Sequence, residues 1–157
     1  MEIKSQKIVP FLWFDKEAEQ AMNFYCTLFK DAKRGEVTRM PNNGPVLVVT
    51  FELSGIKFMA LNGGPHYKLN ESFSLYVNVD SQKELDELWN KLIADGGEES
   101  RCGWLKDKFG LSWQIIPSEL GKWMGDADPQ KSQRVMQALM KMGKIDIKTL
   151  KDAFDGK

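Results

Sequence analysis

The 157-residue sequence has little of what catalytic chemistry is usually read from. It holds one histidine, two cysteines and no net charge, with 22 Lys+Arg against 22 Asp+Glu. The histidine, His66 in GGPHYK, is the base that a Ser–His–Asp or Cys–His site would need. No GxSxG elbow accompanies it, and a loop tip is a common setting for an exposed histidine. Cys26 and Cys102 stand far apart and form no CxxC pair, which argues against a disulfide framework or a cysteine zinc site. HExxH is absent, and one histidine cannot build a 2-His-1-carboxylate centre. Neither GxxxxGK[ST] nor GxGxxG follows a strand-like segment, so a phosphate loop or dinucleotide site has no motif to rest on. No apolar run approaches the ~20 residues of a membrane span. The start of the chain has no long apolar segment of the signal-peptide kind. The reading is a cytoplasmic protein without membrane or nucleic-acid partners, metal or cofactor.

Neutrality conceals an asymmetry. Residues 1–130 carry 15 basic and 19 acidic side chains, a net of −4, and residues 131–157 carry 7 and 3, a net of +4. The basic end could contact DNA or pack on the acidic body. Apolar Val135, Leu139, Met142, Ile145 and Ile147 favour packing.

What is present is pattern. IVPFLWF (8–14) reads as a strand buried on both faces, with Pro10 favouring an edge. Asp15 is the expected N-cap of a helix running to Lys30-Asp31, with Ala18, Ala21, Met22, Tyr25, Leu28 and Phe29 on its apolar face. Strands follow at 36–40, 46–53 and 56–61, and Asn62-Gly63-Gly64-Pro65 breaks the run. The order then recurs. A strand at 72–79 leads to a helix capped by Ser81 and Glu84, and strands follow at 98–103, 104–108 and 112–116. Leu85, Leu88, Trp89 and Leu92 match Ala18, Ala21, Met22 and Tyr25 at a constant offset of 67. The fold class is therefore α+β. Two βαβββ modules, about 8–62 and 72–117, would pair into a curved half-barrel sheet with outer helices. Together they make a domain over 1–117, and 118–157 forms a C-terminal helical extension of three pieces.

Alternation along the strands sorts candidate ligand contacts. Ser74, Tyr76 and Asn78 share one face of the fifth strand, as do Ser112, Gln114 and Ile116 on the last and Phe58, Ala60 and Asn62 on the fourth. The mixed faces are expected to line a concavity, with Ser74, Tyr76, Asn78 and Gln114 as polar contacts and Phe58 and Trp104 as apolar walls. Trp104 serves equally as a core residue of a hairpin. Asp107, ahead of a glycine turn, reads as a turn residue before it reads as a base, and Gly63-Gly64 as a turn before an anion cradle.

Four segments carry a resemblance: IVPFLWFDKEAEQAMNFY (8–25), KFMALNGGP (57–65), CGWLKDKFGLSWQIIP (102–117) and KMGKIDIKTLKDA (141–153). They resemble the PhnB-like family, labelled "3-demethylubiquinone-9 3-methyltransferase domain", of the glyoxalase/bleomycin resistance/dioxygenase, or vicinal oxygen chelate, superfamily. The resemblance implies paired βαβββ modules and a homodimer. The positions matching the superfamily's metal ligands are Pro10, Ala60, Ser74 and Gln114. Only Gln114 among them is of a usual ligand type, so the resemblance carries a cavity without its metal. The expected function is binding of a small apolar or aromatic molecule. The alternative is enzymatic: the methyltransferase of the label, or a metal-dependent lyase or dioxygenase-like activity.

Overall fold

The computed structural model describes residues 6–157. It divides at Leu69/Asn70 into two compact units, each holding one four-stranded mixed sheet. The first unit runs β1 (Phe11–Phe14), α1 (Ala18–Tyr25), β2 (Lys33–Arg39), β3 (Val46–Leu53) and β4 (Ile56–Asn62). Its sheet order is β1-β4-β3-β2, with β1 parallel to β4 and the other pairs antiparallel. The second unit repeats this with β5 (Ser74–Val79), α2 (Gln82–Ile93), β6 (Glu98–Glu99), β7 (Trp104–Lys106) and β8 (Ser112–Pro117), in the order β5-β8-β7-β6. The α+β repeat read from the sequence is therefore real, and both sheets are open.

The offset of 67 is realised in the packing. Ala18, Ala21, Met22 and Tyr25 are the buried residues of α1, and Leu85, Leu88, Trp89 and Leu92 those of α2. Each stripe covers one face of its own sheet. Under α1 lie Leu12, Phe14, Val49, Phe51, Leu53, Phe58 and Ala60, all buried. Under α2 lie Val79, Leu105, Trp113 and Ile115.

Several boundaries move. α1 starts at Ala18 with Glu17 as N-cap and no side-chain cap bond, so Asp15 is not the cap. The backbone N–H of Ala18 instead donates to Asn62 Oδ1 at 2.8 Å, which ties the helix start to the end of β4. The helix ends at Tyr25, short of Lys30-Asp31. β1 alternates exposed and buried residues and is not covered on both faces, since it is an edge strand with Phe11 in solvent. The expected strand at 98–103 is confined to Glu98–Glu99, because Cys102 and Gly103 both take positive φ, 57° and 83°. Half of the α2 cap is as read, Ser81 Oγ accepting from Glu84 N at 3.2 Å, while the Glu84 carboxylate accepts one residue earlier, from Asp80 N at 3.0 Å.

The tail forms α3 (Leu120–Met124), α4 (Pro129–Leu139) and α5 (Ile147–Asp155). It packs within the second unit. Gln82 Nε2 donates to the Ile145 carbonyl at 3.0 Å, and Gln82 Oε1 accepts from Ile147 N at 2.9 Å. Gly103 lies where any Cβ would meet Ile116 Cδ1 at 2.7 Å and Ile145 Cδ1 at 2.8 Å. Lys144 pairs with Asp86 at 2.9 Å, while Lys148, Lys151 and Lys157 pair with Asp152 and Asp155 inside α5 and its end. Of these four lysines only Lys144 reaches an acid outside the tail, Asp86 of α2; the other three pair with acids of α5. Among the described residues no helix is long and apolar enough to cross a membrane.

Candidate functional site

In the second unit the strand register gathers most of the predicted contacts. Trp104 on β7 lies opposite Gln114 on β8, and Gln114 opposite Tyr76 on β5. The next row runs Lys106–Ser112–Ser74 by the same pairings. Cross-strand partners share a face, so these side chains stand together on the face turned away from α2. Gln114 Nε2 donates to Ser74 Oγ at 2.9 Å and bridges the two rows. Trp104 is half-buried, and Tyr76 is 53 % exposed. Burial of the remainder of Tyr76 raises its phenol above the ordinary tyrosine value, so it is a neutral hydroxyl at physiological pH. Asn78 is exposed on the same face, opposite Ile116.

The β7–β8 turn that sets this register is built by Asp107. Its Oδ1 accepts from Phe109 N at 2.8 Å and Leu111 N at 3.1 Å, and its Oδ2 accepts from Trp113 Nε1 at 2.8 Å. Asp107 is buried and turned to the α2 side with Trp113. It acts as a turn residue.

Beside the Trp104 row lies a cavity of about 130 Å³, bounded by Glu71, Glu98, Ser100, Trp104, Lys106 and Ser112. Lys106 Nζ contacts Glu71 at 3.0 Å and Glu98 at 3.7 Å. The hydrogen bond and charge of Lys106 hold the Glu71 carboxyl below its ordinary value, and the Glu71 contact holds Lys106 above its own. Ser112 is 1 % exposed, and its hydroxyl finds no hydrogen-bond partner among the described residues.

The first unit has its own cleft, of about 450 Å³, on the β2–β3–β4 face away from α1. Lys33, Thr50, Glu52, Lys57 and Met59 line it. Lys33, Glu52 and Lys57 are successive cross-strand partners, with Lys33 Nζ 3.2 Å from Glu52. Phe58 also borders the cleft, but its ring belongs to the core. It is 3 % exposed and stacks on Phe51 with centroids 5.2 Å apart. The Phe58–Ala60–Asn62 face therefore turns toward α1 and not toward open space, the reverse of the sequence expectation. Two apolar members out of three outweigh the one amide, which is spent on Ala18 N and the Val46 carbonyl.

The sequence reading passed over the opposite face, Lys57 and Met59 with Thr50 and Glu52. A signal existed. Ser54 and Gly55 both take positive φ, 47° and 81°, and form a two-residue hairpin that pairs Glu52 with Lys57. Such a turn was legible as Ser-Gly between two strand patterns.

The Gly63-Gly64 loop is a seat for Trp13. A Cβ at Gly63 would overlap the indole, whose Nε1 donates to the Gly64 carbonyl at 2.9 Å. Tyr67 meets the same indole edge-on at 5.0 Å. His66 is exposed in this loop.

The positions that the resemblance matched to metal ligands fall in both units, and neither unit's own share fits a metal. Pro10 and Ala60 offer no side-chain donor, and the Ser74 hydroxyl and Gln114 amide are bonded to each other. Among the described residues, no group of three or more His, Cys, Asp or Glu is placed to hold a metal ion.

Comparison with known proteins gives the chain its relatives. Residues 6–116 match the family model described as 3-demethylubiquinone-9 3-methyltransferase, so the resemblance noted over 141–153 lies beyond the matched span. The PhnB protein of Bacillus cereus, which carries the same family description, is 34 % identical, with 72 % of this chain covering 100 % of that one at a TM-score of 0.67. Protein PA1353 of Pseudomonas aeruginosa is 21 % identical over 72 % of this chain and 98 % of its own, TM-score 0.57. The fosfomycin resistance protein FosX of Listeria monocytogenes, solved with Mn(II) and 1S,2S-dihydroxypropylphosphonic acid, is 15 % identical over 71 % of this chain and 90 % of its own, TM-score 0.54. The last two likenesses are of fold alone. No curated protein matches the sequence.

Proposed function

The chain belongs to the 3-demethylubiquinone-9 3-methyltransferase (PhnB-like) family of the glyoxalase fold, and from that premise we propose that it binds a small apolar or aromatic molecule without the superfamily metal. One observation carries the reading. Trp104, Gln114 and Tyr76 stand in a single cross-strand row on the sheet face opposite α2, an amide between two aromatic rings. Flat apolar walls with a few convergent polar groups are what small-ligand sites are made of. In this reading Trp104 and Tyr76 sandwich or flank the ligand's ring. Gln114, Ser74 and Asn78 supply hydrogen bonds at its edge. Phe58, packed in the core of the first unit, takes no part in this contact set. A homodimer in the cytoplasm is part of the same proposal.

The test is calorimetry and thermal shift with neutral aromatics such as indole, 2-naphthol and benzyl alcohol, on the wild type and on Trp104→Ala and Gln114→Ala. Saturable binding that both variants weaken supports the reading. Absence of binding throughout the set, or binding indifferent to Trp104, refutes it. Heat on titrating S-adenosylmethionine would favour the methyltransferase that the family description names, and heat with Mn(II), Ni(II) or Zn(II) a metal-dependent lyase or dioxygenase-like activity.

A further inference from the structure

The feature left unexplained is the cavity beside the Trp104 row. Its charges do not balance. Glu71 and Glu98 share one ammonium, that of Lys106. With Glu99, whose carboxylate accepts from Trp89 Nε1 at 2.8 Å, the lining of this cavity of about 130 Å³ holds three carboxylates against one ammonium. Ser112 borders the same cavity, and its buried hydroxyl finds no partner among the described residues. A buried hydroxyl left unpaired is destabilising, so the position is spent on something the protein alone does not supply. Trp104 forms an aromatic wall of the cavity, and aromatic faces attract cations.

We propose that this cavity takes the protonated amine of a small organic ligand. An ammonium group brings three donors and the missing positive charge. It can donate to Ser112 Oγ and to the Glu98 and Glu71 carboxylates, completing an alternating network with Lys106. At roughly 30 Å³ per water, the space equals about four waters, which accommodates an aminomethyl head group. The assignment rests on the reading above, which puts the ligand's ring on the Trp104–Gln114–Tyr76 row; it adds the polar end. Carboxylate head groups are excluded by the two glutamates.

The first unit carries the opposite pattern at the corresponding place in its sheet. There Lys33 and Lys57 flank Glu52, so the amine assignment belongs to the second unit alone.

The experiment compares benzylamine, benzyl alcohol and benzoate by calorimetry near pH 7. Benzylamine is expected to bind about tenfold tighter than benzyl alcohol, the gain of one hydrogen bond to a charged group, and benzoate weaker than either. Ser112→Ala and Glu98→Gln should each erase most of that preference, bringing the ratio of amine to alcohol affinity close to one. Ser112→Ala should not lower the melting temperature, because it removes an unpaired hydroxyl; a purely structural serine would show a loss. Equal binding of amine and alcohol, or an amine preference that survives both substitutions, overturns the head-group assignment and leaves the aromatic reading standing. If neither compound binds, both fall together.

Discussion

Replacing Asp107 tests how the turn, and through it the site, is held. The carboxylate accepts three hydrogen bonds, and two of the donors, Leu111 N and Trp113 Nε1, belong to residues that are 1 % exposed. Asp107→Ala leaves both buried donors unpaired at about 1–3 kcal/mol each, a total of about 4 kcal/mol. Asp107→Asn keeps one acceptor oxygen, enough for the turn amides, but sets its own N–H against the indole N–H. That is one orphaned pair, about 2 kcal/mol. For a chain of this size 1 kcal/mol lowers Tm by about 2–4 °C. The expected falls are therefore about 8–16 °C for alanine and about 4–8 °C for asparagine. Differential scanning calorimetry measures both, and tryptophan fluorescence reports whether Trp113 becomes exposed at lower temperature. Because the turn fixes the pairing of Trp104 with Gln114, ligand affinity should fall in the same order. Two variants within a degree of each other, or either within a degree of wild type, would refute the account of Asp107 as a three-donor acceptor.

Three further outcomes follow from contacts described above. Gly63→Ala overpacks the Trp13 indole and should cost about 1–3 kcal/mol; a fully wild-type urea midpoint would mean the indole has room. Gln82→Ala removes both bonds to Ile145 and Ile147, for about 1–3 kcal/mol, and should raise hydrogen exchange in 145–155 above that in β8; uniform exchange would show that the tail is held elsewhere. Glu71→Gln should lower stability between about pH 6 and 9. Glu71 is held below its ordinary 4.5 by Lys106, so its contribution is present above that value and lost as pH falls through the depressed one. Lys106 is held above 10.5, so its share persists below that value and is lost as pH rises through the elevated one. Urea midpoints of wild type and variant should therefore converge in acid; a pH-independent gap would rule out the ion pair.

The repeat, the helix stripes and the second unit's row were legible because strand and helix periods sort side chains without knowledge of the fold. Ser74, Tyr76, Gln114 and Trp104 needed only alternation and a parallel pairing of β5 with β8. Phe58 failed because alternation gives two faces and does not say which one a helix covers; there the apolar majority of the face decides, and the lone Asn62 was misleading. Asp15 failed as a cap because Asn62, 44 residues from Ala18, serves that amide. Lys106 with Glu71 and Glu98 escaped because Glu71 precedes β5 in a loop, and no periodicity brings it to β7.

The matched stripes of α1 and α2 also bear on how such a molecule can change. At equivalent places one helix presents Ala, Ala, Met and Tyr, the other Leu, Leu, Trp and Leu. Two alanines face the first sheet where leucines face the second, so each sheet has been fitted to its own helix. Exchanging the helices would overfill one interface and hollow the other. The two halves share a plan and not their parts, so neither helix could stand in for its counterpart.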